Sequence, residues 1–125
     1  MPIFVIHEHH ATHLHWDLRL EMQGVLKSWA LPKEPAKSKN IKRLAIQTED
    51  HDLSYKDFEG TIPEGMYGAG KVKIWDKGTY ILDSKKSEKI VFHLHGKKLK
   101  GKYVLLKTKF GKERNKWKYW LFFRA

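Results

Sequence analysis

The stretch Leu14-His15-Trp16-Asp17-Leu18-Arg19-Leu20-Glu21-Met22 alternates apolar and polar side chains, and its polar members run imidazole, carboxylate, guanidinium, carboxylate. On a β-strand successive side chains point to opposite faces, so His15, Asp17, Arg19 and Glu21 share one face and Leu14, Trp16, Leu18, Leu20 and Met22 the other, a good core face. Cα atoms two residues apart on a strand stand roughly 6.5–7 Å from each other, and parallel side chains at that spacing can converge on one ion. His9 lies upstream, across a turn expected at His10-Ala11-Thr12-His13, and offers a third ligand. Two imidazoles and one carboxylate leave half an octahedron open, which suits a working centre better than a closed structural one. The open positions can take water and a phosphate oxygen. Arg19, one strand step beyond Asp17, can then grip the phosphate in a bidentate way. The same pattern also fits a half-exposed strand with cross-strand ion pairs. Five histidines within residues 7–15 tip the balance toward a metal.

Three other segments carry polar motifs. Glu49-Asp50-His51-Asp52, with Tyr55, follows an expected strand over 42–48. Functional groups often sit where a strand gives way to a loop, and His51 could there donate to a phosphate or protonate a leaving oxygen. Read alone, the cluster is a turn with Asx-type hydrogen bonds. His93 and His95 share a strand face without a carboxylate, which favours a surface or packing role. Gly65-Met66-Tyr67-Gly68-Ala69-Gly70-Lys71 has the glycine and lysine spacing of a phosphate-binding loop, but Val72 follows and Val72-Lys73-Ile74-Trp75 reads as a strand. The phosphate cradle needs a helix N-terminus there, so a glycine-rich turn between strands is expected.

The elements that must position these groups are strands. Period-two runs rich in Val, Ile, Leu and aromatic residues cover 3–7, 14–22, 25–31, 42–48, 71–76, 78–82, 89–95, 101–108 and 116–123, with turn residues between them. Helical periodicity is weak, and 49–60 holds at most a short helical turn. The expected fold class is all-β: a small closed or nearly closed barrel of about eight strands with little helix, since small sheets must manage their edges. The 125 residues fit one domain, 1–125. No cysteine is present, which excludes disulfides, thiolate metal sites and thiol nucleophiles. The sequence shows neither a signal peptide nor a membrane-length apolar run, so a cytoplasmic, monomeric protein without a membrane partner is the expectation. Net charge is +11, and it is uneven. Residues 97–125 hold eleven Lys and Arg against one acid, Glu113, whereas residues 1–96 hold fourteen against thirteen. Such clustering points to a polyanion, nucleic acid first. Lys107, Lys109, Lys112 and Arg114, on and between the last two strands, are candidate contacts to a phosphate backbone.

Taken together the motifs resemble those of the 3′-phosphoesterase domain of bacterial DNA ligase D, a family that also includes stand-alone archaeal proteins. The similarity runs from Phe4 to Phe123. It is carried by His9-x5-His15-x-Asp17-x-Arg19-Leu20-Glu21, Gly24-Val25-Leu26-Lys27-Ser28-Trp29-Ala30, Pro32-Lys33 and Lys42-Arg43-Leu44-Ala45. It continues through Glu49-Asp50-His51-x3-Tyr55-x2-Phe58-Glu59-Gly60, Ile62-Pro63-Glu64-Gly65-x-Tyr67-Gly68-Ala69-Gly70 and the aromatic end Trp117 to Phe123. The resemblance implies a β-barrel with a groove and a Mn2+-dependent site, with Co2+ or Zn2+ as other candidate ions. It implies removal of a 3′-phosphate and trimming of a 3′-terminal ribonucleotide from a primer strand before ligation. By position it implies His9, His15 and Asp17 as metal ligands, Arg19 and His51 on the scissile phosphate, and Lys33, Arg43, Glu49 and Tyr55 as a supporting shell. Ligase-linked members carry a polar N-terminal segment ahead of the Phe4 strand that this sequence does not show, so 3′-phosphate removal is the first expectation and ribonucleotide trimming the second. A separate DNA ligase is the expected partner.

Two rival functions fit parts of the sequence. A cupin-like iron oxygenase would use His15, Asp17 and His51 as a facial triad, and gives no reason for Arg19 or the basic end. A non-catalytic oligonucleotide-binding barrel would use stacking aromatics, and gives no reason for the His-Asp-Arg face. No serine, cysteine or aspartate nucleophile stands beside a base, so water activated by a metal is the economical route to phosphoester hydrolysis.

Overall fold

The computed structural model describes residues 1–108 and 118–125. Nine strands carry the chain: β1 (Ile3–His10), β2 (Leu14–Met22), β3 (Val25–Leu31), β4 (Arg43–His51), β5 (Gly60–Ile62), β6 (Gly70–Lys85), β7 (Lys89–His95), β8 (Lys100–Lys107) and β9 (Tyr119–Arg124). A single 3₁₀ turn, Leu53–Asp57, follows β4, capped by the Asp52 carboxylate, which accepts from the Ser54 N–H. Eight strands pair antiparallel in the ring β1-β2-β3-β4-β9-β8-β7-β6, and β6 closes it by pairing with β1. The short β5 adds to β6 outside the ring. Closure removes the free edges that a small sheet would otherwise expose.

Alternation fills the interior. Phe4, Ile6, Leu18, Leu20, Trp29 and Phe92 are among the fully buried side chains of one continuous core. Phe122 stacks between Tyr103 and Phe92, with ring centroids at 5.0 and 6.3 Å. The β2–β3 hairpin turns on Gln23 and Gly24, both at positive φ (53° and 81°), the backbone that a two-residue turn matching strand twist requires. Leu14, expected on the core face, stays exposed because it sits at the open start of β2.

Three stretches differ from the sequence expectation, one of them the short β5, where no strand is expected. Residues 71–76 and 78–82, read as separate strands, form the one strand β6. The break expected at Lys77 does not occur, and Gly78 beside it is a point of close approach: a Cβ there would meet the His95 carbonyl oxygen at 2.1 Å. Residues 49–51, read as a turn after the fourth strand, belong to β4, with the 3₁₀ turn beginning only at Leu53. The glycine-rich run 65–69 is a loop leading into β6 at Gly70, as its sequence implies. The hairpin of the last two strands forms, with Leu106 opposite Leu121. Its expected turn, Lys109 to Asn115, lies outside the described residues.

Candidate active site

Antiparallel register brings the histidine-rich strand onto the His-Asp-Arg strand. His7 lies opposite Asp17, and His9 opposite His15. These side chains, with Arg19, project from the barrel wall away from the apolar core. Segment 52–69 covers them: the His7 Nε2–H donates to the Phe58 carbonyl at 3.1 Å and the His9 Nε2–H to the Gly68 carbonyl at 2.7 Å.

One ligand atom each from His9, His15 and Asp17 lie within 4.8 Å of one another. The hydrogen bonds fix which atoms these are. His9 spends Nε2–H on Gly68, and His15 spends Nδ1–H on the His13 carbonyl at 3.0 Å. The lone pairs left over, on His9 Nδ1 and His15 Nε2, face Asp17 Oδ2 at 3.6 and 3.3 Å. Two lone pairs and a carboxylate converging in a buried place repel unless a cation or a proton lies between them. A backbone carbonyl fixing the second ring nitrogen is also the usual support of a metal-bound histidine. The donor set therefore fits a divalent ion. Burial raises the Asp17 carboxyl pKa, but the facing His15 and His9 rings, when protonated toward it, and the Arg19 charge outweigh it, and the carboxyl stays well below the usual carboxylate range. The Asp17 hydrogen bond in turn raises the His15 imidazole against the opposing effect of burial.

Arg19 is buried at 4% exposure and held on every side. Its Nε donates to His7 Nδ1 at 3.0 Å, Nη1 to Ser28 Oγ at 2.9 Å, and Nη2 to Asp17 Oδ2 at 3.4 Å. Tyr55 lies 4.9 Å from the guanidinium carbon and closes over it, while stacking on Phe58. One Nη2 hydrogen has no acceptor among the described residues and a second makes only the long Asp17 contact, so the Nη2 end is the part of the fork free for a ligand. His7 must stay neutral to accept from Arg19, and burial, with the Arg19 charge, lowers its pKa to about 4. His7 and Ser28 were not singled out in the sequence. The signal for His7 was its alternation with His9 on β1, which puts both on one face.

His51 reaches the same place through a bulge. Ser28 pairs with Thr48, but Leu26 pairs with His51, so one extra residue is inserted in β4. Strict alternation from Thr48 would turn His51 away from the site, and the bulge brings it in, with Asp50 also lining the cavity. His51 Nδ1 lies 3.1 Å from Arg19 Nη1. Nδ1 also lies 3.2 Å from the Glu49 carbonyl oxygen, so it accepts from Arg19 when the ring proton is on Nε2 and donates to Glu49 when the proton is on Nδ1. Burial and the Arg19 charge lower its pKa.

A cavity of about 450 Å³ is lined by His9, His15, Asp17, Arg19, Glu49, His51 and Tyr55. Seven of the nine residues expected at the site are thus brought together. Lys33 and Arg43 do not line it. Lys33 is exposed beyond the end of β3, and Arg43 donates through Nε to the Glu34 carbonyl at 2.8 Å, holding the loop between β3 and β4. Glu21 also stands apart, accepting from the Ile3 N–H at 2.9 Å. The facial triad of the oxygenase alternative is not what the strands assemble: among the described residues the ligand cluster is His9, His15 and Asp17, and His51 bonds Arg19. Lys107 ends β8, while Lys109, Lys112 and Arg114 lie outside the described residues.

Comparison with known proteins agrees with this geometry. The sequence model described as "DNA Ligase D 3'-phosphoesterase domain" matches residues 7–107, which contain all of these cavity residues. The chain belongs to this family. Relatives include the multifunctional non-homologous end joining protein LigD of Mycobacterium bovis, 50% identical over 109 residues, which cover 84% of this chain and 14% of that protein. LigD of Pseudomonas aeruginosa is 46% identical over 119 residues, 91% of this chain and 14% of its own. LigD of Mycolicibacterium smegmatis is 47% identical over 117 residues, 85% of this chain and 15% of its own. The chain thus spans about one-seventh of the length of these relatives. Among the described residues no helix is long and apolar enough to cross a membrane.

Proposed function

We propose that residues 1–125 act as one 3′-phosphoesterase unit that heals nucleic acid ends, removing a 3′-phosphate and trimming a 3′-terminal ribonucleotide before a separate DNA ligase joins the strand. The observation that carries this is the convergence of His9, His15 and Asp17 within 4.8 Å in the cavity that also holds Arg19 and His51. His9 Nδ1, His15 Nε2 and an Asp17 oxygen would hold one divalent ion. The family resemblance makes Mn2+ the first candidate, and two imidazoles with a carboxylate suit Co2+ and Zn2+ as well. Such an ion, when bound, offsets phosphoryl charge and makes water a better nucleophile. Arg19 presents Nη2 to a non-bridging phosphate oxygen, and its ties to His7 and Ser28 keep it aimed without reorganisation. In the tautomer that accepts from Arg19, His51 offers its Nε2–H as a second donor to the phosphate or as the proton source for the leaving oxygen. Tyr55 holds the Arg19 plane, and Glu49 stands at the cavity rim. Lys33 and Arg43 lie beyond the His15 end of the site and would act on the approaching strand. Lys107, with Lys109, Lys112 and Arg114 in sequence after it, would meet backbone phosphates farther from the reacting end.

The relatives' names place them in non-homologous end joining, and the same setting is proposed for this chain, as a cytoplasmic monomer that meets its ligase as a separate protein. The test is end processing. A duplex primer ending in a 3′-phosphate should release inorganic phosphate with Mn2+ and not in excess chelator, and one ending in a ribonucleotide should be shortened. An intact 3′-phosphate under these conditions would refute the proposal.

A further inference from the structure

The barrel interior is apolar until one end. β3, β4 and β8 carry Trp29, Ala45 and Leu105 into the core. The next inward-facing positions at that end are Lys27, Gln47 and Lys107. The β6–β7 turn adds Lys85 and Lys86 at the same mouth. Together these five line a pocket of about 230 Å³ floored by Trp29 and Trp120. Among the described residues that line it, four are lysines and none is an acid. Lysines that merely extend to solvent from a barrel end do so outward, whereas these surround a concavity. Gln47 is also set as a donor. Trp120 Nε1–H donates to Gln47 Oε1 at 3.1 Å, and since an indole N–H cannot accept, the Gln47 amide NH2 remains to donate. Lysines and an amide NH2 around a small concavity match the oxygens of a phosphate group.

The pocket adjoins the catalytic cavity. Lys27 Nζ bonds Asp50 Oδ2 at 2.9 Å. Lys27 lines the barrel-end pocket and Asp50 the catalytic cavity, so this one ion pair forms the divide between them.

We propose that the barrel-end pocket is a second phosphate subsite, which takes a backbone phosphate of the nucleic acid whose 3′ end enters the catalytic cavity across the Lys27–Asp50 pair. The assignment rests on the phosphoesterase function proposed above and adds to it where the substrate is gripped. A single free phosphate monoester needs only the first cavity, whereas a strand engages both.

The test uses Lys85→Gln with Lys86→Gln, exposed turn positions outside the catalytic cavity. Binding of a labelled primer–template duplex with a 3′-hydroxyl is followed by anisotropy in chelator, so that turnover plays no part. Each phosphate contact on a duplex contributes about 0.9 to the logarithmic salt slope. The double variant should bind about tenfold more weakly with a slope flatter by about that amount, while Mn2+-supported hydrolysis of a small aryl phosphate stays at the wild-type rate. Wild-type affinity and slope in the variant would overturn the subsite, as would equal loss on duplex and aryl phosphate. If the variant shows the binding defect but the wild type leaves a 3′-phosphate intact with Mn2+, the subsite stands and the proposed catalytic function falls.

Discussion

Replacing His7 with leucine should separate the support of Arg19 from the metal site. His7 is fully buried, and its ring makes two bonds: Nδ1 accepts from Arg19 Nε at 3.0 Å, and Nε2–H donates to Phe58 O at 3.1 Å. Leucine fills comparable volume but leaves a buried guanidinium N–H and a carbonyl unpaired. A bond to a charged group is worth about 1.5–3 kcal/mol and a neutral one about 1, so His7→Leu should cost about 3 kcal/mol near neutral pH. The cost should depend on pH. The folded-state pKa of His7 is lowered to about 4 from an ordinary 6.5. Below pH 6.5 the unfolded chain takes a proton that the folded one refuses, so the stabilisation is complete above pH 6.5 and fades as pH falls toward 4. At about 1.4 kcal/mol per unit, roughly 2 kcal/mol of it is gone by pH 5. Urea unfolding of wild type and variant in chelator, at pH 7.5 and pH 5, reads this directly. The gap between the two proteins should shrink from about 3 to about 1 kcal/mol, and Mn2+ affinity at pH 7.5 should change little because His7 is outside the ligand set. A gap that is the same at both pH values, or absent at pH 7.5, would refute the assignment of a neutral, doubly bonded His7.

Asp17→Ala should abolish turnover and weaken Mn2+ binding at least 100-fold by titration calorimetry, while circular dichroism retains the barrel spectrum, because the core lies on the other face of β2. Arg19→Lys should lower kcat by about 10²–10³ with Mn2+ affinity retained, since an ammonium cannot span His7, Ser28 and the phosphate together; wild-type kcat would remove Arg19 from the reaction. Apparent Mn2+ affinity should fall as pH drops through the His15 titration, which the Asp17 carboxylate sets above the ordinary 6.5, approaching tenfold per unit on the acid side if one proton competes with the ion; a flat profile would exclude His15 as ligand. Asp76→Ala tests a structural carboxylate: its oxygens accept from the Lys77, Lys97 and Leu99 N–H groups at 2.8–2.9 Å. Its loss should cost about 2–4 kcal/mol while activity per folded molecule stays unchanged.

What the sequence makes legible here follows from alternation. The His15-Asp17-Arg19 face could be read from one strand, because period-two order needs no knowledge of neighbours. The barrel class followed from many short runs of the same period, and the family followed from motifs in a shared order. What alternation cannot show is pairing. The approach of His9 to His15, and of His7 to Asp17, depends on the β1–β2 register. The place of His51 depends on a bulge that inverts its face, and nothing in Glu49-Asp50-His51 marks that insertion. The break expected at Lys77 is absent because Asp76-Lys77-Gly78 has the composition of a turn while Gly78 in fact relieves a close approach within one strand. Glu21 shares the face of Arg19 but lies past the cavity, serving the Ile3 backbone. Strand position, more than residue type, decides which polar groups of one face belong to the site.

The central claim is that His9, His15 and Asp17 hold one divalent ion beside the Arg19–His51 pair, and that a terminal phosphate binds between them. Manganese-edge anomalous diffraction from crystals grown with Mn2+ and an oligonucleotide ending in a 3′-phosphate tests it most directly. One strong peak within bonding distance of His9 Nδ1, His15 Nε2 and the Asp17 carboxylate is predicted, with the terminal phosphate in contact with Arg19 Nη2 and His51 Nε2. Manganese bound at other residues, or a 3′-phosphate seated away from Arg19 and His51, would contradict it.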